Sequence, residues 1–169
     1  MTKNVRHLTH GALIAAMYVA LTYLQNFLLP GSASWAIQFR ASEALCVLAL
    51  FTPAAIPGLT IGCLLFNISY AAALPLDFLV GSLATFLATM TMRMAGKWTI
   101  RKLPLLSLLM PALWNGLLVG WELSVYISGG WLRNGIYVAI GEAAVLLTLG
   151  VALYYALRSR NLGQRLFGC

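Results

Sequence analysis

Long apolar runs alternate with short polar breaks along this chain, and six runs can be traced. They cover 8–29, ended by Pro30-Gly31, then 36–50, which is short and closed by the turn Phe51-Thr52-Pro53. The third covers 55–73, with Pro57 in its first turn, where a missing N–H is tolerated. The others cover 76–95, opened by Pro75, then 104–127 and 135–157. Runs of about 20 residues without period-two alternation predict helices long enough for a bilayer rather than barrel strands. The polar positions inside the runs are few. Gln38-Phe39-Arg40-Ala41-Ser42-Glu43 heads the second run, and there Arg40 and Glu43 share one face of the expected helix. Charges inside a bilayer turn inward, toward each other, toward water or toward a ligand.

Composition removes the soluble alternative. Of 169 residues, 61% are hydrophobic and 9% charged, against about 25% charged in a soluble domain. The expectation is an all-α integral membrane protein: one domain over 1–169, a compact bundle of six transmembrane helices. The first run is too long for a secretory signal peptide and lacks a cleavage site, so it reads as a span. Cys46, Cys63 and Cys169 show neither a disulfide framework nor a metal spacing.

Eleven Lys/Arg against four Asp/Glu give a net charge of +7. The basic residues lie between or beyond the runs, so orientation in the bilayer explains them and nucleic acid is not required. An even number of spans puts both termini on one side. Lys3, Arg6, Arg93, Lys97, Arg101, Lys102, Arg158, Arg160 and Arg165 all fall there, which makes that side cytoplasmic and the protein multi-pass in the plasma membrane. Arg40 and Arg133 fall on the other side.

On this topology every acid lies in the outer half. Glu43 is about 10 Å from the outer end of span two, and Glu142 about 12 Å below the outer start of span six. Asp77 opens span four and Glu122 closes span five. Span five repeats Trp114-Asn115 and Trp121-Glu122 at a spacing of two turns, so Asn115 and Glu122 share a face. Asn67 and Tyr70 end span three, Trp35 and Gln38 head span two, and Trp131, Asn134 and Tyr137 lead into span six. The pattern suggests an acidic cavity open to the outside. Simpler readings stand beside it. Arg40 and Glu43 can pair and only fix two helices, Asp77 and Glu122 can be solvated at the interface, and Trp35, Trp121 and Trp131 can be an aromatic belt. Trp114 is too deep for a belt and is either core or a stacking surface. His7 and His10 have no evident chemical role. Ala12, Ala16 and Ala20, beside Gly11 and Ala15, form a ridge of small residues that either packs inside the bundle or docks on another membrane protein.

Catalytic signatures are absent: no phosphate loop, no Ser-His-Asp set, no metal cluster. The chain is also too small for two inverted transporter halves, so any solute movement draws its energy from elsewhere.

The six spans, the alanine ridge and three segments resemble the substrate-binding S-components of energy-coupling factor (ECF) transporters, and within those the QueT family. The segments are Ile37-Gln-Phe-Arg-Ala-Ser-Glu-Ala-Leu45, Phe51-Thr-Pro-Ala-Ala-Ile-Pro-Gly-Leu59 with Ile61-Gly-Cys-Leu-Leu-Phe-Asn67, and Leu76-Asp-Phe-Leu-Val-Gly-Ser-Leu-Ala-Thr85. The resemblance implies a non-enzymatic subunit without cofactor. Such a subunit captures a micronutrient from outside and topples against a transmembrane coupling subunit driven by two ATPases, with Ala12, Ala16 and Ala20 as the docking ridge. It also implies a queuosine precursor, a deazaguanine base, as substrate. That chemistry suits the residues: Glu142 or Glu43 for the guanine-like N–H edge, with Arg40 orienting Glu43; Asn115 or Asn67 for the carbonyl; Glu122 or Asp77 for an amine; Trp114, Tyr70 or Tyr137 for stacking. Thiamine- or pteridine-binding S-components, a membrane assembly protein and a small intramembrane enzyme are the alternatives. The loops at Pro30–Trp35 and Ser128–Arg133 are the candidate gates.

Overall fold

The computed structural model describes residues 2–32, 39–70, 73–100, 103–159 and 162–167, without the side chains of Lys3, Gln164 and Arg165. Trp35, Gln38, Arg101, Lys102, Arg160 and Cys169 lie outside the described residues, as does half of the Pro30–Trp35 gate. The elements are α1 (Lys3–Leu28), α2 (Ala41–Leu50), α3 (Ala55–Ser69), α4 (Asp77–Ala95), α5 (Leu105–Tyr126), α6 (Gly130–Ser159) and a short α7 (Leu162–Phe167). Among the described residues there is no strand, only an isolated bridge between Ile100 and Leu103. Four helices, α1, α4, α5 and α6, are long and apolar enough to cross a membrane; α2 and α3 are apolar but shorter.

The surface is inverted relative to a water-soluble fold. Phe27 and Leu132 are 82% and 75% exposed, while all four acids are buried. Apolar residues outside and carboxylates inside suit a surrounding of lipid. The order of packing is α1 on α3, α3 on α4, α4 on α5, and α5 on α6. Segment α2 fills the centre and touches α1, α3, α4 and α6.

Helix α2 differs from its sequence expectation. A membrane α-helix over 36–50 is expected, but Phe39 precedes any helix, Arg40 is extended (φ −99°, ψ 101°), and 41–50 winds as a 3₁₀-helix. Ser42 through Ala49 are all buried. A rod enclosed on every side needs no polar face, so its sequence carries no helical period. The 3₁₀ rise of about 2.0 Å stretches ten residues to roughly 20 Å, and residues three apart eclipse. Glu43 and Cys46 therefore stack along one edge, with Arg40 just ahead of the first turn.

Two glycine pairs set the closest helix contacts. Gly116 and Gly120 of α5 meet Gly135 of α6, where a Cβ on Gly120 would sit 2.4 Å from the Gly135 Cα. Gly58 and Gly62 of α3 meet α1, where a Cβ on Gly58 would lie 2.6 Å from the Gly11 carbonyl oxygen, and one on Gly62 2.9 Å from the Tyr18 Cβ. Both pairs have the G-x-x-x-G spacing that lets membrane helices touch at the backbone. The expected 128–133 loop is mostly helix: α6 starts at Gly130, five residues earlier than its apolar run, after Gly129 (φ 128°) and with Gly130 at φ 76°. Arg133 closes this turn by donating to the Ser128 carbonyl at 2.9 Å. The His10 and Phe167 rings meet edge-on at 5.3 Å, so the two ends of the described chain lie at the same end of the bundle.

Candidate functional site

The site is the polar centre where α1, α2, α4, α5 and α6 converge. Arg40, Glu43, Asn67, Asp77, Asn115, Glu122 and Glu142, all expected as site residues, are 0–7% exposed. Solvation therefore does not account for Asp77 and Glu122, the simpler reading of those two acids. The reason is their position: Asp77 opens α4 beneath the end of α3, and Glu122 faces it across the α4–α5 contact. Among the described residues Arg40 is the one buried cation, and Glu43, Asp77, Glu122 and Glu142 all lie within its field.

The four carboxylates differ in what holds them. Glu43 is held twice: the Tyr18 hydroxyl donates to Oε1 at 2.7 Å and the Cys46 thiol to Oε2 at 3.2 Å. The second bond follows from 3₁₀ winding, which places Cys46 beneath Glu43. Asp77 accepts from the Leu74 backbone N–H at 3.0 Å and so closes the turn into its own helix. Glu122 and Glu142 are 0% exposed; no donor reaches either Glu142 oxygen, and Glu122 meets only another carboxyl group, that of Asp77. A buried carboxylate without donors is costly and is rarely left so without function. They project from the adjacent helices α5 and α6, and Glu142 also has Glu43 and Arg40 as charged neighbours.

Helix α1 and the α2 entrance are tied together by side chains that sequence reasoning passed over. Thr22 donates to Ser42 Oγ at 2.8 Å, and the Gln25 carbonyl oxygen accepts from Ala41 N at 2.7 Å. The Gln25 amide nitrogen donates to Ser32 Oγ at 2.9 Å and also to the Phe39 carbonyl. Tyr18, Thr22 and Gln25 repeat at helical spacing, a polar stripe in an apolar run that would have been a usable signal.

Amides complete the site. Asn67 donates to the Asp77 carbonyl at 2.8 Å, which commits its nitrogen and leaves Oδ1 without a donor. Gly81 lies beside this amide, where a Cβ would stand 2.9 Å from Asn67 Nδ2 and 4.0 Å from Arg40 Nη1. Asn134, grouped by sequence only with residues leading into span six, is 3% exposed with its Nδ2 unpartnered. It shares the buried face of α6 with Val138, Glu142 and Val145.

The aromatic candidates are placed differently. The Trp114 indole donates to Thr91 Oγ1 at 3.1 Å, about 21 Å along α4 from Asp77; an indole N–H needs an acceptor, and here α4 supplies it. Tyr137 is 40% exposed because the buried stripe of α6 passes on either side of it. Tyr70 stacks on Phe66 at 5.1 Å, and Tyr23 meets Phe66 edge-on.

Outside the site, Ala12, Ala16 and Ala20 are exposed. Packing of α1 on α3 uses Gly11, Ala15 and Tyr18 instead. The three alanines line a groove of about 600 Å³ with Gly58, Ile61 and Leu65.

The family model described as QueT transporter matches residues 8–159, nearly the whole chain. The chain belongs to the QueT transporter family. This is a family of ECF S-components, and the apolar helices are consistent with a multi-pass membrane protein. Neither a curated protein nor a solved structure matches the chain.

Proposed function

We propose that this family member is the binding subunit of an ECF-type importer, capturing a deazaguanine precursor of queuosine that bears an amine. One observation carries the reading: Glu122 and Glu142 are fully buried on adjacent helices, Glu142 without a donor and Glu122 with only the Asp77 carboxyl group as partner. Four acidic side chains against one guanidinium leave an excess of carboxyl groups over cations in an apolar interior. A ligand with clustered N–H donors and a positive charge offsets that excess.

The geometry narrows the earlier pairs. Glu43 is already engaged by Tyr18 and Cys46, so Glu142 is the better acceptor for the ring N–H and exocyclic amine of a guanine-like edge. Asp77 is engaged by its own turn, which leaves Glu122 for the tethered amine. Asn67 has spent its nitrogen on Asp77, so Asn115 or Asn134 reads the carbonyl. Asn115 and Glu122 stand about 10 Å apart along α5, room for a base at one level and its tethered amine at the next. Transport, in this reading, belongs to separate subunits: a membrane coupling protein docking on Ala12, Ala16 and Ala20, and two ATPases, with this chain doing no chemistry. The orientation read from Lys and Arg puts the carboxylates toward the outer side of the cell membrane.

Uptake tests it. Proteoliposomes holding this chain with a coupling subunit and the ATPases should accumulate labelled queuine or its aminomethyl precursor only with internal ATP. Accumulation of thiamine but no deazaguanine would move the substrate to another micronutrient. ATP-independent accumulation would remove the importer reading.

A further inference from the structure

At the end of the bundle opposite the carboxylates lies a cavity of about 510 Å³ between the end of α4, the end of α2 and the last turns of α6. Arg93, Lys97 and Arg158 line it, with Phe51, Tyr154 and Pro104 as an apolar wall. Two of its cations are held in place. Arg93 donates to the Ala49 carbonyl at 2.9 Å, and Arg158 donates to the Tyr154 hydroxyl at 2.5 Å with its guanidinium 5.8 Å from that ring centroid. Arg93 is about 24 Å along α4 from Asp77. All four acidic side chains of the chain are in the carboxylate cluster, away from this cavity. Trp98, next to Lys97, is 73% exposed, as expected at a lipid–water boundary. Orientation in the bilayer needs positive charge on one side, but not three cations from two helices gathered around one concavity.

We propose that this cavity is a binding site for a phosphate group, with an anionic phospholipid headgroup as the source the surroundings favour. Guanidinium groups match phosphate oxygens in pairs of N–H bonds, and Lys97 adds a mobile charge. The proposal does not depend on the substrate of the carboxylate site.

The test is native mass spectrometry of the purified chain in neutral detergent with phosphatidylglycerol or phosphatidylcholine at equal concentration. Each cation should contribute about fivefold to retention of the anionic lipid. Lys97 makes no hydrogen bond among the described residues, so Lys97→Gln should fold normally and lose about fivefold. Arg93→Gln, Lys97→Gln and Arg158→Gln together should bring phosphatidylglycerol down to the phosphatidylcholine level. Displacement of the lipid by millimolar inorganic phosphate would assign the site to soluble phosphate; resistance to it would assign the site to the headgroup. Equal retention of the two lipids, or full retention by Lys97→Gln, would overturn the proposal.

Discussion

Replacing Glu142 by Gln should weaken ligand binding and, in the empty protein, raise stability. Both Glu142 oxygens are buried without a partner, so in the empty protein this acid costs free energy whether it stays ionised or takes up a proton. Neutralising it removes about 1–3 kcal/mol of that cost. With a guanine-like edge bound, the same carboxylate accepts two charge-assisted bonds of about 1.5–3 kcal/mol each. Gln keeps one neutral acceptor and turns an NH₂ toward a ligand N–H. The net loss is about 3 kcal/mol, more than a hundredfold in Kd. Glu43→Gln is the contrasting case. It weakens the bonds from Tyr18 and Cys46, so the empty protein should lose about 1–2 kcal/mol. Thermal unfolding of both variants in detergent, with and without ligand, gives the comparison. If Glu142→Gln lowers the unfolding temperature of the empty protein as Glu43→Gln does, Glu142 has a partner in the fold and the reasoning fails. Unchanged affinity in Glu142→Gln would remove it from the site.

Other expectations follow from the packing and the hydrogen bonds. Tyr18→Phe leaves Glu43 Oε1 without its donor and should cost about 1–3 kcal/mol in unfolding; no loss would show that the bond is dispensable. Gly120→Ala puts a methyl 2.4 Å from the Gly135 Cα, which forces α5 from α6 and should cost about 1–3 kcal/mol; an unfolding temperature equal to the parent's would contradict that contact. Ala16→Trp fills the exposed groove between α1 and α3 and should reduce co-purification with a coupling subunit while ligand affinity stays at the parent value. Intact co-purification would place docking elsewhere.

Much of the architecture was readable from where apolar runs stop. The prolines at 30, 53, 75 and 104 bound runs whose helices are observed within about five residues of expectation, since proline and lipid length both act locally. The burial of Glu43 and Glu142 was readable too, because a carboxylate has few alternatives inside a helix bundle, while Asp77 and Glu122, near span ends, could equally have been solvated. The winding of α2 was not. Eight consecutive buried residues erase the period that separates α from 3₁₀. Nor was the hold on Glu43: Tyr18 lies 25 positions away in an apolar run, and only the α1–α2 contact brings them together. For Trp114, depth alone did not fix which face the indole takes, and Thr91 supplied the acceptor. Asn134 passed as part of a segment leading into the last helix because α6 begins before its apolar run does.

The central claim is that the buried carboxylates bind a cationic, guanine-like base. Equilibrium binding of queuine and its aminomethyl precursor to the purified chain, with guanine and thiamine as competitors, tests it most directly. The account predicts saturable binding of the amine-bearing bases that guanine displaces only weakly and thiamine not at all. Folded protein that binds no deazaguanine, or binds guanine as tightly as queuine, would contradict it.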